Sequence, residues 1–335
     1  MTLQTSRRTF LKSASLLSIA GLTGIPGLNL AQAAIAPVPR VGGPRLKLSL
    51  NAYSFARLLN NHLMKRGEGL SLLDLCEFCA RHNFDGIDAT GYYFPGYRDR
   101  RIPDDRFVFE VKRKAFDLGL GISGTGVGNN FTIADPAARA KDVAWIKAWV
   151  EVAAKLGAPV LRVFADTQMR NADWKVASNH ASRDEVEKYI ADSVRECADH
   201  AAKFGVIIGV QNHGDFLRTA DDMISLLRRV DSPWCGAIVD TGFFRAADPY
   251  AEIAKTAPYA VNWQVKQSPL GIEKVTEAPM DLPRLVKIVL ASGYRGYLPI
   301  ETLSPRGSGE TYDPYKTVPE FLAQIRAALA AEGHA

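Results

Sequence analysis

Four groups of polar residues follow short apolar runs in the second half of the chain. They are Gln211-Asn212-His213-Gly214-Asp215, Asp240-Thr241-Gly242, Gln264-Val265-Lys266 and Glu301-Thr302. Together they hold carboxylates, amides, an imidazole and an ammonium, the groups that move protons, grip hydroxyls and bind hard cations. One polar residue after an apolar run is an ordinary loop start, whereas four successive runs ending this way indicate a built site. Residues alternate in facing along an extended strand. His213 therefore shares a face with Gln211, and Asn212 does not. Lys266 shares a face with Gln264, and Trp263 between them turns away into packing. Asn51, Tyr53, Phe55, Tyr92, Tyr93 and Phe131 stand at earlier strand ends and loops. Arg162, inside an apolar run, is either half of a buried ion pair or an anchor for a ligand.

The elements that must position these groups alternate along the chain. Strands are predicted at Leu46–Tyr53, Gly86–Thr90, Leu120–Gly124, Val160–Ala165, Val206–Gln211, Gly236–Asp240, Ala260–Lys266 and Tyr297–Glu301. Helices are predicted over 71–82, 105–118, 136–156, 183–204, 219–230, 249–257, 281–291 and 314–331. Gly157, Gly205 and Gly293 supply helix stops, and Asp135-Pro136, Ser182 and Asp248-Pro249 supply helix starts. Alternating strands and helices imply parallel pairing through right-handed crossovers. Eight such units fit an α/β fold of one kind, a single (β/α)8 TIM barrel, whose ligands meet the C-terminal strand ends. An open doubly wound sheet would draw support from Gly124-Thr125-Gly126-Val127-Gly128-Asn129. A dinucleotide fingerprint needs glycine where Asn129 stands and a helix at once; here the next helix waits until Pro136. The segment reads as a glycine-rich barrel loop, and no nucleotide is expected.

The eight-unit pattern and these endings resemble the sugar phosphate isomerase/epimerase superfamily, the xylose isomerase-like TIM barrels. The resemblance runs from about Leu46 to the end. It is carried by Leu156-Gly157-Ala158-Pro159-Val160-Leu161-Arg162-Val163-Phe164, by Gln211-Asn212-His213-Gly214, by Asp240-Thr241-Gly242 and by Ile300-Glu301-Thr302. It implies one divalent cation held by Glu, Asp, His and Glu from the fifth to eighth strands. The matching positions are Gln211, Asp240, Gln264 and Glu301. It also implies a small-molecule carbohydrate substrate, for which the strand-end residues Asn51, Tyr53, Arg162 and Asn212 are the binding candidates; the early aromatics read as packing by default, with sugar stacking as the functional alternative.

The departures from the family pattern change the expected chemistry. Two of the four ligands are glutamine, which binds a hard cation without charge and does not replace imidazole on Zn²⁺. A cation, if held, should be Mg²⁺, Mn²⁺ or Ca²⁺ and weakly bound. The family's ketose epimerases use the two glutamates as bases on opposite faces of one carbon. Gln211 accepts no proton at ordinary pH, and Phe243 stands where a substrate-binding histidine is expected. Two-base epimerisation is thereby disfavoured. Glu301 remains as the base, with His213 and Lys266 as candidates for the second catalytic group. Lys266 can alternatively pair with Asp240 or Glu301 and replace the metal electrostatically.

Residues 1–33 read as an address. Ser6-Arg7-Arg8-Thr9-Phe10-Leu11-Lys12 is a twin-arginine signature, a weakly apolar run follows, and Ala31-Gln32-Ala33 offers a cleavage site. The expected organisation is a signal peptide over 1–33, a linker over 34–45 and the barrel over 46–335, exported to the periplasm by the Tat machinery. Of the net charge of +5, +2 lies outside the first 33 residues. A near-neutral body argues against nucleic acid as a partner. Four cysteines in 335 residues are too few for a disulfide scaffold. Cys76 and Cys79 fall inside a predicted helix and read as packing. The leading expectation is an exported sugar isomerase- or epimerase-like enzyme that abstracts a proton from a free sugar, keto-sugar or glycoside. The rivals are a keto-glycoside lyase or hydratase and a sugar-binding barrel without turnover. An endonuclease-like phosphodiesterase comes last, because six histidines are few for a multi-zinc site. Self-association is left open.

Overall fold

Each short apolar run pairs in parallel with the next, because a helix returns the chain across the sheet between them. A computed structural model describes residues 36–169, 172–271, 274–303 and 312–334. The expected signal peptide lies outside the described residues. The strands are β1 (Arg45–Asn51), β2 (Gly86–Asp88), β3 (Gly121–Gly126), β4 (Val160–Phe164), β5 (Ile207–Gln211), β6 (Cys235–Asp240), β7 (Ala260–Lys266) and β8 (Arg295–Glu301). They are hydrogen-bonded in chain order, and β8 closes on β1 through six register pairs. The fold is a single (β/α)8 TIM barrel.

The helices are α1 (Ala56–Leu63), α2 (Leu72–Arg81), α3 (Asp105–Asp117), α4 (Pro136–Leu156), α5 (Trp174–Ala177), α6 (Arg183–Ala201), α7 (Ala220–Val230), α8 (Pro249–Thr256), α9 (Leu282–Ala291) and α10 (Pro314–Ala331). Local chemistry starts and stops them. Ser71, Ser182 and Thr219 form capping boxes on α2, α6 and α7. Asp135, Asp248 and Asp313 cap α4, α8 and α10 ahead of a proline. Gly157 ends α4 at φ +86°, a conformation that costs other residues a Cβ clash. The helices' inner faces and the outward strand residues, Trp263 and Ile300 among them, form one apolar layer around the barrel. Cys76 and Cys79 are buried in that layer on α2 as free thiols, and burial pushes Cys76 up to about 12.

Three expectations change. The glycine segment is not a loop at its start: β3 runs through Gly126, which pairs with Arg162 on β4. The stretch read as linker is tied to the barrel from Val38 onward. Val38 N–H donates to the Pro258 carbonyl at 3.0 Å, and Arg40 Nη2 donates to the Ala260 carbonyl at 2.8 Å. Helices α1 and α5 were not foreseen. The first lacks a side-chain cap at Phe55, and the second is a single turn.

Candidate active site

Strand register sets the geometry of the mouth. Lys266 on β7 and Glu301 on β8 are direct register partners, and Asp240 on β6 is opposite Gln264 on β7. All four are buried. Lys266 Nζ stands 2.7 Å from Glu301 Oε1 and 3.5 Å from Asp240 Oδ2. Burial opposes the Lys266 charge, but Asp240 and Glu301 outweigh it and raise the amine above its ordinary pKa. Lys266 is therefore an ammonium between two carboxyl groups. Asp240 is pushed up to about 6, first by burial, with Lys266 pulling it down and Glu301 pushing it further up.

Hydrogen-bond logic fixes the neighbouring amides. A carboxylate only accepts, so Gln211 turns Nε2 toward Asp240 Oδ2, at 2.6 Å. The backbone N–H of Gly242 donates to Asp240 Oδ1 at 3.0 Å. Asn51 Oδ1 accepts from the Tyr53 backbone N–H at 2.8 Å and from Thr90 Oγ1 at 3.2 Å. Its Nδ2 must then donate, and it does so to Gln264 Oε1 at 2.8 Å.

This network answers the question of the cation. Gln211, Asp240, Gln264 and Glu301 do converge, but they do not fit a metal ion. The Lys266 ammonium lies against both carboxyl groups. Gln211 presents an N–H instead of its carbonyl, and the Gln264 oxygen is engaged by Asn51. Among the described residues, no group of three or more His, Cys, Asp or Glu is placed to hold a metal. Three of the four positions expected as ligands, Gln211, Asp240 and Glu301, form with Lys266 a network whose cation is a lysine, and Gln264 is held apart by Asn51.

The other expected residues have separate fates. Asn51 positions Gln264 and has little left for substrate. Asn212, expected at the substrate, is fully buried and exchanges two hydrogen bonds with the Asp240 backbone, at 2.9 and 2.8 Å. Its amide is a structural clamp between β5 and β6. His213 stands at the mouth with its ring stacked on Phe243, centroids 4.2 Å apart. Burial, then the charges of Lys266, Arg162 and Arg245, hold it well below its ordinary pKa. It is a neutral hydrogen-bonding group. Tyr53 is 40% exposed at the rim, and burial, then Glu301, raise its phenol pKa. Arg162 is buried beside Tyr92, whose hydroxyl accepts from Nη2 at 3.1 Å.

Two carboxylates went unread in the sequence. Asp88 ends β2 and is buried in the mouth; burial pushes it up to about 7 against the pull of Arg162. The same strand-end signal was present, but extending the strand to Thr90 hid it. Asp166 follows β4 and accepts the backbone N–H groups of His213, Phe216 and Leu217 at 3.1, 2.6 and 2.9 Å. It fixes the loop that carries His213. A small pocket opens over Phe243, Lys266, Ser268 and Glu301.

A closed parallel barrel with buried acidic and basic side chains at the C-terminal ends of β6 to β8 is a (β/α)8 barrel with a polar mouth. Residues 76–325 match the family described as xylose isomerase-like TIM barrel, and the chain belongs to that family. Solved structures share the fold. A 3-keto-D-glucoside 4-epimerase from E. coli is 16% identical with a TM-score of 0.64, covering 85% of this chain and 99% of that one. A D-psicose 3-epimerase from Clostridium cellulolyticum is 14% identical with a TM-score of 0.67, covering 84% and 99%. An L-ribulose 3-epimerase is 17% identical with a TM-score of 0.66, covering 85% and 95%. At these identities the likeness is one of fold. No curated protein matches the chain.

Proposed function

We propose that the chain is an exported enzyme that moves a proton on a sugar or keto-sugar at the barrel mouth, with Glu301 as the base and Lys266 as the electrophile. The observation that carries this is the Lys266–Glu301 pair at 2.7 Å, open to the pocket. An ammonium has three N–H groups. Two are directed at Glu301 and Asp240, and the third is left for a substrate oxygen. Placed against a carbonyl, it stabilises the negative charge that develops as a C–H proton leaves the adjacent carbon. Among the described residues, Glu301 Oε2 has no hydrogen-bond partner and is the atom to take that proton. One base suffices for isomerisation or β-elimination, in which the same group returns the proton or a leaving group departs. Epimerisation by opposed bases would need an acceptor where Gln211 stands. The similarity of fold to keto-sugar epimerases supports the substrate class, and the twin-arginine pattern supports export.

The test is exchange of substrate C–H for deuterium. Ketoses, aldoses and 3-keto-glucosides incubated with the protein in deuterated water should include one that gains deuterium beside its carbonyl. Glu301→Gln keeps the shape and should slow that exchange by about 10²–10⁴-fold. A sugar that binds while never exchanging would instead show a binding barrel without turnover.

A further inference from the structure

The opposite half of the mouth holds a guanidinium with no carboxylate partner among the described residues, lying over the Phe164 ring at 4.0 Å from its centroid. Arg162 is 8% exposed, and its Nη1 is fully buried with no hydrogen-bond partner. Its one side-chain hydrogen bond goes to a neutral group, the Tyr92 hydroxyl. Among the described residues, no carboxylate comes within ion-pair distance of it. Tyr93, which feels the charges of both Arg162 and Glu301, also has a buried hydroxyl with no partner. Buried polar atoms are nearly always satisfied, and buried charges are paired. Six such atoms occur among the described residues, and Arg162 Nη1 and the Tyr93 hydroxyl are the two at the barrel mouth, where a ligand can complete them.

Strand β3 keeps room for this arrangement. A Cβ on Gly126 would sit 2.6 Å from Arg162 Nε, and one on Gly124 would sit 2.9 Å from Asp88 Oδ2. The glycines that resemble a nucleotide loop are there so that a guanidinium and a carboxyl can lie inside the barrel. We infer that Arg162 and Tyr93 form an anion seat, and that the substrate is an acidic sugar whose carboxylate occupies it. This rests on the proposed sugar-class reading and narrows it. A single guanidinium matches a monoanion; a phosphate dianion would leave one charge buried. Burial pushes Asp88 up to about 7, which lessens its repulsion of an anion nearby. The carboxylate at the Arg162 end leaves the reacting carbons toward Lys266 and Glu301.

Binding by the full mature protein tests it, with a hexuronate, its methyl ester, the neutral hexose and the hexose 6-phosphate as probes. The hexuronate should bind about 10- to 100-fold more tightly than the ester and the hexose, the worth of one charge-assisted pair. Arg162→Met should remove that preference. The ester comparison uses wild-type protein and so survives a variant that fails to fold. Equal affinity for acid and ester, or a preference for the 6-phosphate, would overturn the carboxylate seat while leaving the sugar reading intact. Binding of neither acid nor neutral sugar would overturn both.

Discussion

Asp88 shows how a single buried carboxyl couples the site to pH. Its ordinary pKa of 3.8 rises to about 7 in the folded protein, burial being the main cause. The native state then holds that proton more tightly than the unfolded chain does. The stability it contributes is present at low pH and is lost as the pH rises from about 4 to about 7. Asparagine has no such proton to lose. Asp88→Asn should therefore gain stability on wild type as pH rises through this window, and the gain should level off above it. Urea unfolding at pH 5 and pH 8 measures the difference; an equal effect at both would remove burial as the cause. The chemistry at residue scale was partly legible. Strand-end polarity found Gln211, Asp240, Lys266 and Glu301, which do meet. It could not show that Asn212 bonds to backbone or that Asn51 serves Gln264, because those roles depend on the neighbouring strand's register.

At the scale of elements, the sequence displayed β7, α4 and α10 with their observed bounds because sharp signals flank them. Asp135-Pro136 opens α4 and Gly157 closes it. Helix α1 escaped notice because Phe55 gives it no side-chain cap, although Leu58 and Leu59 are buried from it. Strand β3 was cut short because glycines read as loop residues. Their reason is lateral and invisible along the chain, since Gly126 pairs with Arg162 across β3 and β4. Gly126→Ala would place a methyl 2.6 Å from Nε and 2.8 Å from Cβ of Arg162. The crowding should cost about 1–3 kcal/mol, read as a lower denaturation midpoint with an unchanged slope. A fully stable Gly126→Ala would mean that Arg162 has another place to go.

At the scale of the whole molecule, the barrel is explained by eight repeated units, and the proposed export by a separate segment. Changing Arg7 and Arg8 together to Lys should leave precursor in the cytoplasm of a Tat-competent host; undiminished export, followed by fractionation, would refute the periplasmic assignment. The body of the protein makes the stronger claim, that an internal ammonium stands where the family resemblance expects a divalent cation. Lys266 is paired to Glu301 at 2.7 Å, and Asp240 is saturated by Gln211, Gly242 and Lys266. Calorimetric titration of metal-stripped mature protein with Mn²⁺ tests that claim most directly. Wild type should show no saturable site, and Lys266→Gln, which frees Asp240 and Glu301, should acquire one. A one-to-one Mn²⁺ site in the wild-type protein, abolished by Asp240→Asn, would contradict it.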